Sequence, residues 1–391
     1  MNSKPSPRPD KGPAPRLDKG PAPRLGKGPA PRPGVMEIEA YAGGASSVAG
    51  QDRVIKLSSN EGAFGPSAKA VAAARAAAET MHRYPDGSAS AVREAIAKAH
   101  TLDASRIICG AGSDELISLL CYTYAGAGDE VIYTEHGFLM YPIAAKAAGA
   151  TPVAVPEADL TADVDAILGA VTKKTRIVFL ANPNNPTGTY LGRSEMARLR
   201  DGLRADILLV IDAAYAEFVD ADDYDAGVEL VDAGIGKNEN VVMTRTFSKI
   251  YALGGLRLGW AYAPPAIADV LNRVRGPFNV SSLAQAAGVA AMEDAAFVAK
   301  CRAHTIDWRA RLTQRLRGMG LAVPASQGNF LLARFPGGRD QAAAADAFLK
   351  ENGIIVRAMD GYGLPDCLRI SIGTDEEMDA LGDTLARFMA S

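Results

Sequence analysis

Residues 246–257 read Thr-Phe-Ser-Lys-Ile-Tyr-Ala-Leu-Gly-Gly-Leu-Arg and place one lysine, Lys249, in a polar turn behind the apolar run Val241-Val242-Met243. A lysine held in a partly desolvated site loses its proton readily and condenses with an aldehyde. The hydroxyls of Thr246 and Ser248 flank it, and Arg257 follows eight residues later with a planar fork of donors. Hydroxyls and a guanidinium suit a phosphate. An aldehyde and a phosphate on one ligand describe pyridoxal 5′-phosphate, although Ser-x-Lys by itself also fits a surface lysine after a strand.

Other residues extend that chemistry. The turn Gly110-Ala111-Gly112-Ser113 opens a helical stretch, and backbone amides at a helix N-terminus attract phosphate; an ordinary helix cap fits the same residues. Phe138 follows an apolar run and can stack on an aromatic ring or simply join a core. Asp212 ends the run Leu-Leu-Val-Ile. A carboxylate there would keep a pyridine nitrogen protonated and make the ring an electron sink, or else cap the next helix. Asn185 and Tyr215 are each able to hydrogen-bond a ring hydroxyl. Arg369, in Leu-Arg-Ile-Ser-Ile-Gly-Thr, offers two parallel bonds to a carboxylate.

These residues need a scaffold that gathers them. Apolar runs at Arg106–Cys109, Glu130–Thr134, Arg176–Ala181, Ile207–Ile211 and Val241–Thr244 alternate with helical stretches, among them Ala68–Met81 and Ala89–Ala99, the pattern of an α/β fold with a mostly parallel sheet flanked by helices. Ligands of such sheets bind beyond the carboxyl ends of the strands, where the polar residues above fall. Past Asn279 a long helical stretch, Leu283 to about Arg317, leads to strands near Asn329–Arg334, Gly353–Arg357 and Cys367–Ile372. The expected organisation is a tail over 1–34, a large domain over 76–279, and a smaller α+β domain formed by 280–391 and completed by 35–75.

The tail repeats Lys-Gly-Pro-Ala-Pro-Arg from Lys11, Lys19 and Lys27 and has almost no large apolar side chains, so it reads as disordered. Its eight Lys/Arg against two Asp give it +6 and leave −9 for the rest of a chain whose net charge is −3. That balance argues for no nucleic acid or anionic membrane as partner. No apolar run approaches the ~18 residues of a membrane helix, and the N-terminus lacks a secretory signal. Four scattered cysteines and four dispersed histidines offer neither a disulfide framework nor a metal site, and they suit a cytoplasmic protein.

The succession Tyr84-Pro85-Asp86, Gly112-Ser113-Asp114-Glu115, Asn184-Asn185-Pro186-Thr187-Gly188, Asp212-x-x-Tyr215, Ser248-Lys249 with Arg257, and Arg369-Ile-Ser-Ile-Gly373 resembles fold-type I pyridoxal-phosphate aminotransferases, and within them the histidinol-phosphate aminotransferase family. The resemblance runs from about Val35 to the C-terminus. It implies Lys249 as the lysine that carries the cofactor, Asp212 at the pyridine nitrogen, Asn185 and Tyr215 near the ring oxygen and Phe138 stacked on the ring. Ala111, Gly112, Ser113, Thr246, Ser248 and Arg257 would hold the phosphate, and Tyr84 would reach the phosphate of a neighbouring subunit in a homodimer. Substrate contacts would come from Tyr41, Asn60, Asn185, Asn329, Arg357 and Arg369. The implied reaction exchanges an amino group between a donor and the 2-oxoglutarate/glutamate pair, with Lys249 moving the α-proton. An aromatic amino-acid aminotransferase and a threonine-phosphate decarboxylase are the neighbouring alternatives. The chain departs from the family at Gly62-Ala63, where Asn-Pro is usual, at His136-Gly137, where Pro-Thr is usual, and at Ala213, a frequent Glu. The first two departures bear on the substrate pocket.

Overall fold

The computed structural model of the protein describes residues 29–41, 43–48 and 54–391. The three repeats' lysines and the expectation of disorder over 1–28 therefore lie outside the described residues. Of the tail, residues 29–34 are described, and there the Arg32 guanidinium donates to the carbonyl of Ala147.

Seven strands form the main sheet: β1 (Ile107–Gly110), β2 (Glu130–Thr134), β3 (Thr151–Val155), β4 (Thr175–Ala181), β5 (Leu208–Asp212), β6 (Val241–Thr246) and β7 (Gly259–Tyr262). Their order is β1-β7-β6-β5-β4-β2-β3. The pairs β2–β3, β2–β4, β4–β5 and β5–β6 are parallel, and β7 alone runs antiparallel, between β1 and β6. Alternate strand residues bury into opposite layers: Val178, Leu180, Leu209 and Ile211 face one core, and Ile177, Phe179, Leu208 and Val210 face the other. A sheet covered on both faces selects the near-continuous apolar runs seen in the sequence.

The five expected runs are strands, and two further strands join them. β3 begins Thr151-Pro152 at the sheet edge, where a proline's missing N–H costs no ladder bond, so its sequence gives a weak strand signal. β7 is only Gly-Trp-Ala-Tyr. Its first residue pairs with both Gly110 and Thr246, and a Cβ on Gly259 would lie 2.4 Å from the amide nitrogen of Ser113.

Of the helices α1 (Ala68–Ala78), α2 (Ser90–His100), α3 (Ser113–Tyr124) and α4 (Met140–Ala148), the last two begin at the cleft. The helical stretch expected as continuous from Leu283 is two helices, α5 (Ser282–Met292) and α6 (Ala295–Gly318). The break falls at Glu293-Asp294; acidic residues favour the start of a helix over its C-terminal end, and Asp294 is the N-cap of α6. Ala284, Ala287 and Ala291 of α5 pack into the main-sheet core, as does Ala70 of α1. Trp308, Leu312 and Leu316 of α6 pack instead with the C-terminal sheet.

That second sheet orders β8 (Phe330–Arg334), β10 (Leu364–Ser371) and β9 (Arg357–Met359), all antiparallel. The single strand expected over Gly353–Arg357 is divided. Ile354–Ile355 pairs in parallel with Ile55–Lys56, and the chain then switches at Val356 to place Arg357 against β10. Leu57 joins the same core as Leu331, Leu349 and Ile370, which ties the N-terminal segment to the C-terminal sheet.

Candidate active site

The parallel register fixes where the chemistry gathers. Ala181 pairs with Asp212, and Asp212 with Thr244, so the carboxyl ends of β4, β5 and β6 lie together at one end of the sheet. A cleft of about 370 Å³ opens there, closed from the other side by Arg357 and Arg369 of the second sheet and by Ser58, Ser59 and Asn60.

Lys249 lines the cleft half-buried. Its Nζ lies 3.4 Å from the Ser59 carbonyl and 5.6 Å from the centre of the Tyr215 ring. The Thr246 Oγ1 accepts from the amide of Ser248 at 3.1 Å and donates to its Oγ at 3.0 Å, which curls the turn at the cleft wall that Arg257 also lines. Arg257 donates to Asp114 at 2.9 Å and to the Gly254 carbonyl at 3.1 Å, with Ser248 Oγ at 3.4 Å. Gly112 backs this guanidinium: its φ is +87°, and a Cβ there would come within 2.3 Å of Arg257 Nη2. Only glycine fits that approach.

The helix start differs in one respect from the expectation. Ser113 lines the cleft together with Asp114, which the sequence reading did not select. The Ala111 amide is already taken by the Glu115 carboxylate at 2.6 Å, and Asn279 donates to the same oxygen at 2.7 Å. Ala111 therefore contributes to the turn rather than to the cleft wall. Glu115 one turn into α3 was the available signal, since a carboxylate there reaches back to orphan amides.

Asp212 is 5% exposed, and its Oδ2 accepts from the Tyr141 hydroxyl at 2.8 Å; Thr244 Oγ1 is 3.4 Å from Oδ1. Among the described residues no lysine, arginine or histidine is within ion-pair distance of it. Burial pushes its carboxyl up to about 6, with the nearby Asp114 adding to the rise and the Tyr141 bond opposing it. Phe138 sits beside it, its ring edge-on to Tyr141 at 5.9 Å and to Tyr41 at 6.4 Å. Tyr215 accepts from Asn60 Nδ2 at 2.9 Å and packs edge-on against Phe330.

Arg369 is buried. Its Nη1 donates to Asn185 Oδ1 at 2.5 Å and Nη2 to the Ser58 carbonyl at 2.9 Å, whereas its Nε has no partner. Arg357 stands directly opposite it in the β9–β10 register, and both side chains line the cleft, as does Tyr362, which the sequence reading passed over.

The structure thus brings Tyr41, Asn60, Ser113, Phe138, Asn185, Asp212, Tyr215, Thr246, Ser248, Lys249, Arg257, Arg357 and Arg369 to one cleft. Four expected residues stand outside its wall: Ala111 and Gly112, which form the turn behind Arg257, and Asn329 and Tyr84. Asn329 donates to the carbonyls of Asn60 at 3.1 Å and Glu61 at 3.3 Å and so holds the segment that lines the cleft. Tyr84 is 83% exposed and stacks on Phe278 at 4.6 Å.

The residues present fit pyridoxal phosphate. A buried carboxylate without a cation suits a protonated ring nitrogen, a glycine-backed arginine with two hydroxyls suits the phosphate, and Lys249 stands between the two sets.

The Aminotransferase class I and II family model matches residues 52–385. The chain is 62% identical over 361 residues to histidinol-phosphate aminotransferase of Paramagnetospirillum magneticum, covering 92% of this chain and 98% of that protein. It is 58% identical to the protein of the same name from Rhodospirillum rubrum over 92% and 96% of the two lengths. Among solved structures, histidinol-phosphate aminotransferase from Sinorhizobium meliloti, in complex with pyridoxal-5′-phosphate, superposes with a TM-score of 0.80 at 28% identity, over 87% of this chain and 92% of that one.

Proposed function

The chain belongs to the class I and II aminotransferases, within them to the histidinol-phosphate aminotransferase family, and we propose that it moves the amino group of histidinol phosphate to 2-oxoglutarate, giving imidazole-acetol phosphate and glutamate, in histidine biosynthesis. Pyridoxal phosphate, when bound, supplies an aldehyde that accepts the amine and a ring that takes up the electron pair of the broken Cα–H bond. Lys249 would carry the cofactor, and its Nζ, free once the substrate is held, would take the α-proton and return it as general base and acid. Asp212 would keep a proton on the ring nitrogen, Asn185 and Tyr215 would hydrogen-bond the ring oxygen, and Phe138 would cover the ring. Ser113, Thr246, Ser248 and Arg257 would hold the phosphate, together with the backbone amides at the start of α3.

The observation that carries the substrate assignment is the cross-strand pair of Arg357 and Arg369. Arg369 keeps a buried Nε without an acceptor, and two guanidiniums bordering one cleft suit a dianion. Histidinol phosphate carries a phosphate dianion where an amino acid carries a single carboxylate. Asn60 and Tyr41 border the same space. The test is a comparison of amino donors. Histidinol phosphate should exceed phenylalanine in kcat/KM by a factor of about ten or more, ~1.4 kcal/mol of transition-state binding, and Arg357→Ala should damage the phosphate substrate far more than the aromatic one. Phenylalanine or tyrosine as the better donor would replace this reading with an aromatic aminotransferase.

We further assign the active unit to a homodimer, because Tyr84 and Phe278 present an aromatic stack to solvent outside their own cleft. All four cysteines are free and buried, which suits a reducing cytoplasm.

A further inference from the structure

We propose that Tyr141 is a positioning residue for the reaction: its hydroxyl holds Oδ2 of Asp212 and thereby presents Oδ1 to the ring nitrogen of the cofactor, an inference that rests on the role assigned to Asp212 above. Tyr141 is the second residue of α4 and 1% exposed. Its ring stacks on Phe179 of β4 with centroids 4.6 Å apart and planes 4° from parallel, so the hydroxyl's position is set by packing. The bond to Oδ2 is 2.8 Å, whereas the Thr244 contact to Oδ1 is long at 3.4 Å. Oδ2 therefore makes the short side-chain bond and Oδ1 only the weaker one.

The choice of a phenol has a physical reason. A lysine or arginine in its place would orient the carboxylate but cancel the charge that the ring nitrogen's proton requires. A neutral O–H donor makes a charge-assisted bond and leaves the charge in place. The groups around Asp212 are Tyr141 from α4, Thr244 from β6, Asp114 from α3 and the amide of Ala214, none of them cationic. Burial and the adjacent carboxylate push the Tyr141 hydroxyl well above its ordinary value, so it stays a donor throughout the working range. The same ring meets Phe138 edge-on, which lets one side chain brace two of the cofactor's expected contacts.

Tyr141→Phe removes the hydroxyl and keeps the stack on Phe179, so the fold of the cofactor-free protein, followed by circular dichroism, should be retained. Titration of that protein with pyridoxal phosphate should show binding weakened roughly ten- to a hundred-fold, equivalent to about 1.4–2.8 kcal/mol. The pH at which the loaded enzyme's visible band changes should move, and kcat should fall with the amino donor's KM little altered. Tyr141→His, which restores a donor, should recover part of the affinity. In an Asp212→Ala background the further Tyr141→Phe change should leave cofactor affinity unaltered, because its effect passes through the carboxylate. Wild-type affinity and spectrum in Tyr141→Phe, with Asp212→Ala impaired, would overturn the proposal alone. An equal loss in both backgrounds would also overturn it, by making Tyr141 a packing residue. Unchanged binding in both Tyr141→Phe and Asp212→Ala would remove the role of Asp212 as well.

Discussion

Asp212→Asn should make the cofactor-free protein more stable while impairing its use of the cofactor. In the folded protein the Asp212 carboxyl is raised from 3.8 to about 6 by burial. A raised carboxyl contributes stability that is fully present below 3.8 and is lost as pH rises through 6, because the fold prefers the protonated form. Above 6 the ionised carboxylate costs the fold about 3 kcal/mol relative to a neutral group, at ~1.36 kcal/mol per pH unit across that gap. Asparagine is neutral, nearly isosteric, and its amide oxygen still accepts the Tyr141 hydroxyl. Urea unfolding of the cofactor-free proteins at equal concentration should therefore find the asparagine variant more stable by about 3 kcal/mol at pH 8 and by only about 1.6 kcal/mol at pH 5, where the wild-type carboxyl is largely protonated. Its affinity for pyridoxal phosphate should drop over the same pH range. A variant no more stable than wild type at pH 8, or an advantage that does not shrink at pH 5, would refute the claim that this carboxylate is buried at a cost for the cofactor's sake.

Two further outcomes test the rest of the site. Gly112→Ala forces a side chain into a backbone of φ +87° and against Arg257 Nη2, so it should cost about 1–3 kcal/mol of stability and weaken cofactor binding at least about tenfold; wild-type affinity would separate Arg257 from the phosphate. If Tyr84 serves the neighbouring subunit, mixing inactive Lys249→Ala chains with Tyr84→Phe chains should restore partial activity in the hybrids, since one of their two sites has both residues. A fully active monomer in sedimentation would rule that out.

The sequence made the site more legible than the scaffold's details. Lys249, Asp212 and Arg257 belong to short segments at strand ends, and a parallel sheet must bring such ends together whatever its strand order. β7 was not legible, because four residues of Gly-Trp-Ala-Tyr carry no period and its antiparallel place depends on Gly259 lying close under Ser113. β3 hid behind Pro152, and the break in the helical stretch at Asp294 was smoothed over by good helix formers on both sides. Tyr141 and Tyr362 could not be selected because their importance is tertiary. An apolar helix beginning Met-Tyr-Pro-Ile reads as core, and only the fold reveals that the tyrosine's hydroxyl meets a carboxylate 71 residues away. The engagement of the Ala111 amide is legible only in the fold for a similar reason, since the Glu115 carboxylate that accepts from it sits on the next helical turn.

Local agreement between sequence and fold is the rule in this chain, and its exceptions are informative about function. The strands of the main sheet are apolar on both faces, yet β5 ends in a buried carboxylate with no cation nearby among the described residues. β9 and β10 fit their sheet except where Arg357 and Arg369 face each other. The buried carboxylate costs the empty protein free energy, and each feature is met by a different part of the expected ligands: the carboxylate by a protonated ring nitrogen, the arginine pair by a substrate anion. Because the two differ in sign and open on one cleft, they favour a cation against β5 and an anion against β9 and β10. Ligands that bind only the folded state return this cost as stability, so cofactor and a phosphate-bearing substrate should raise the melting temperature independently, each through its own end of the cleft.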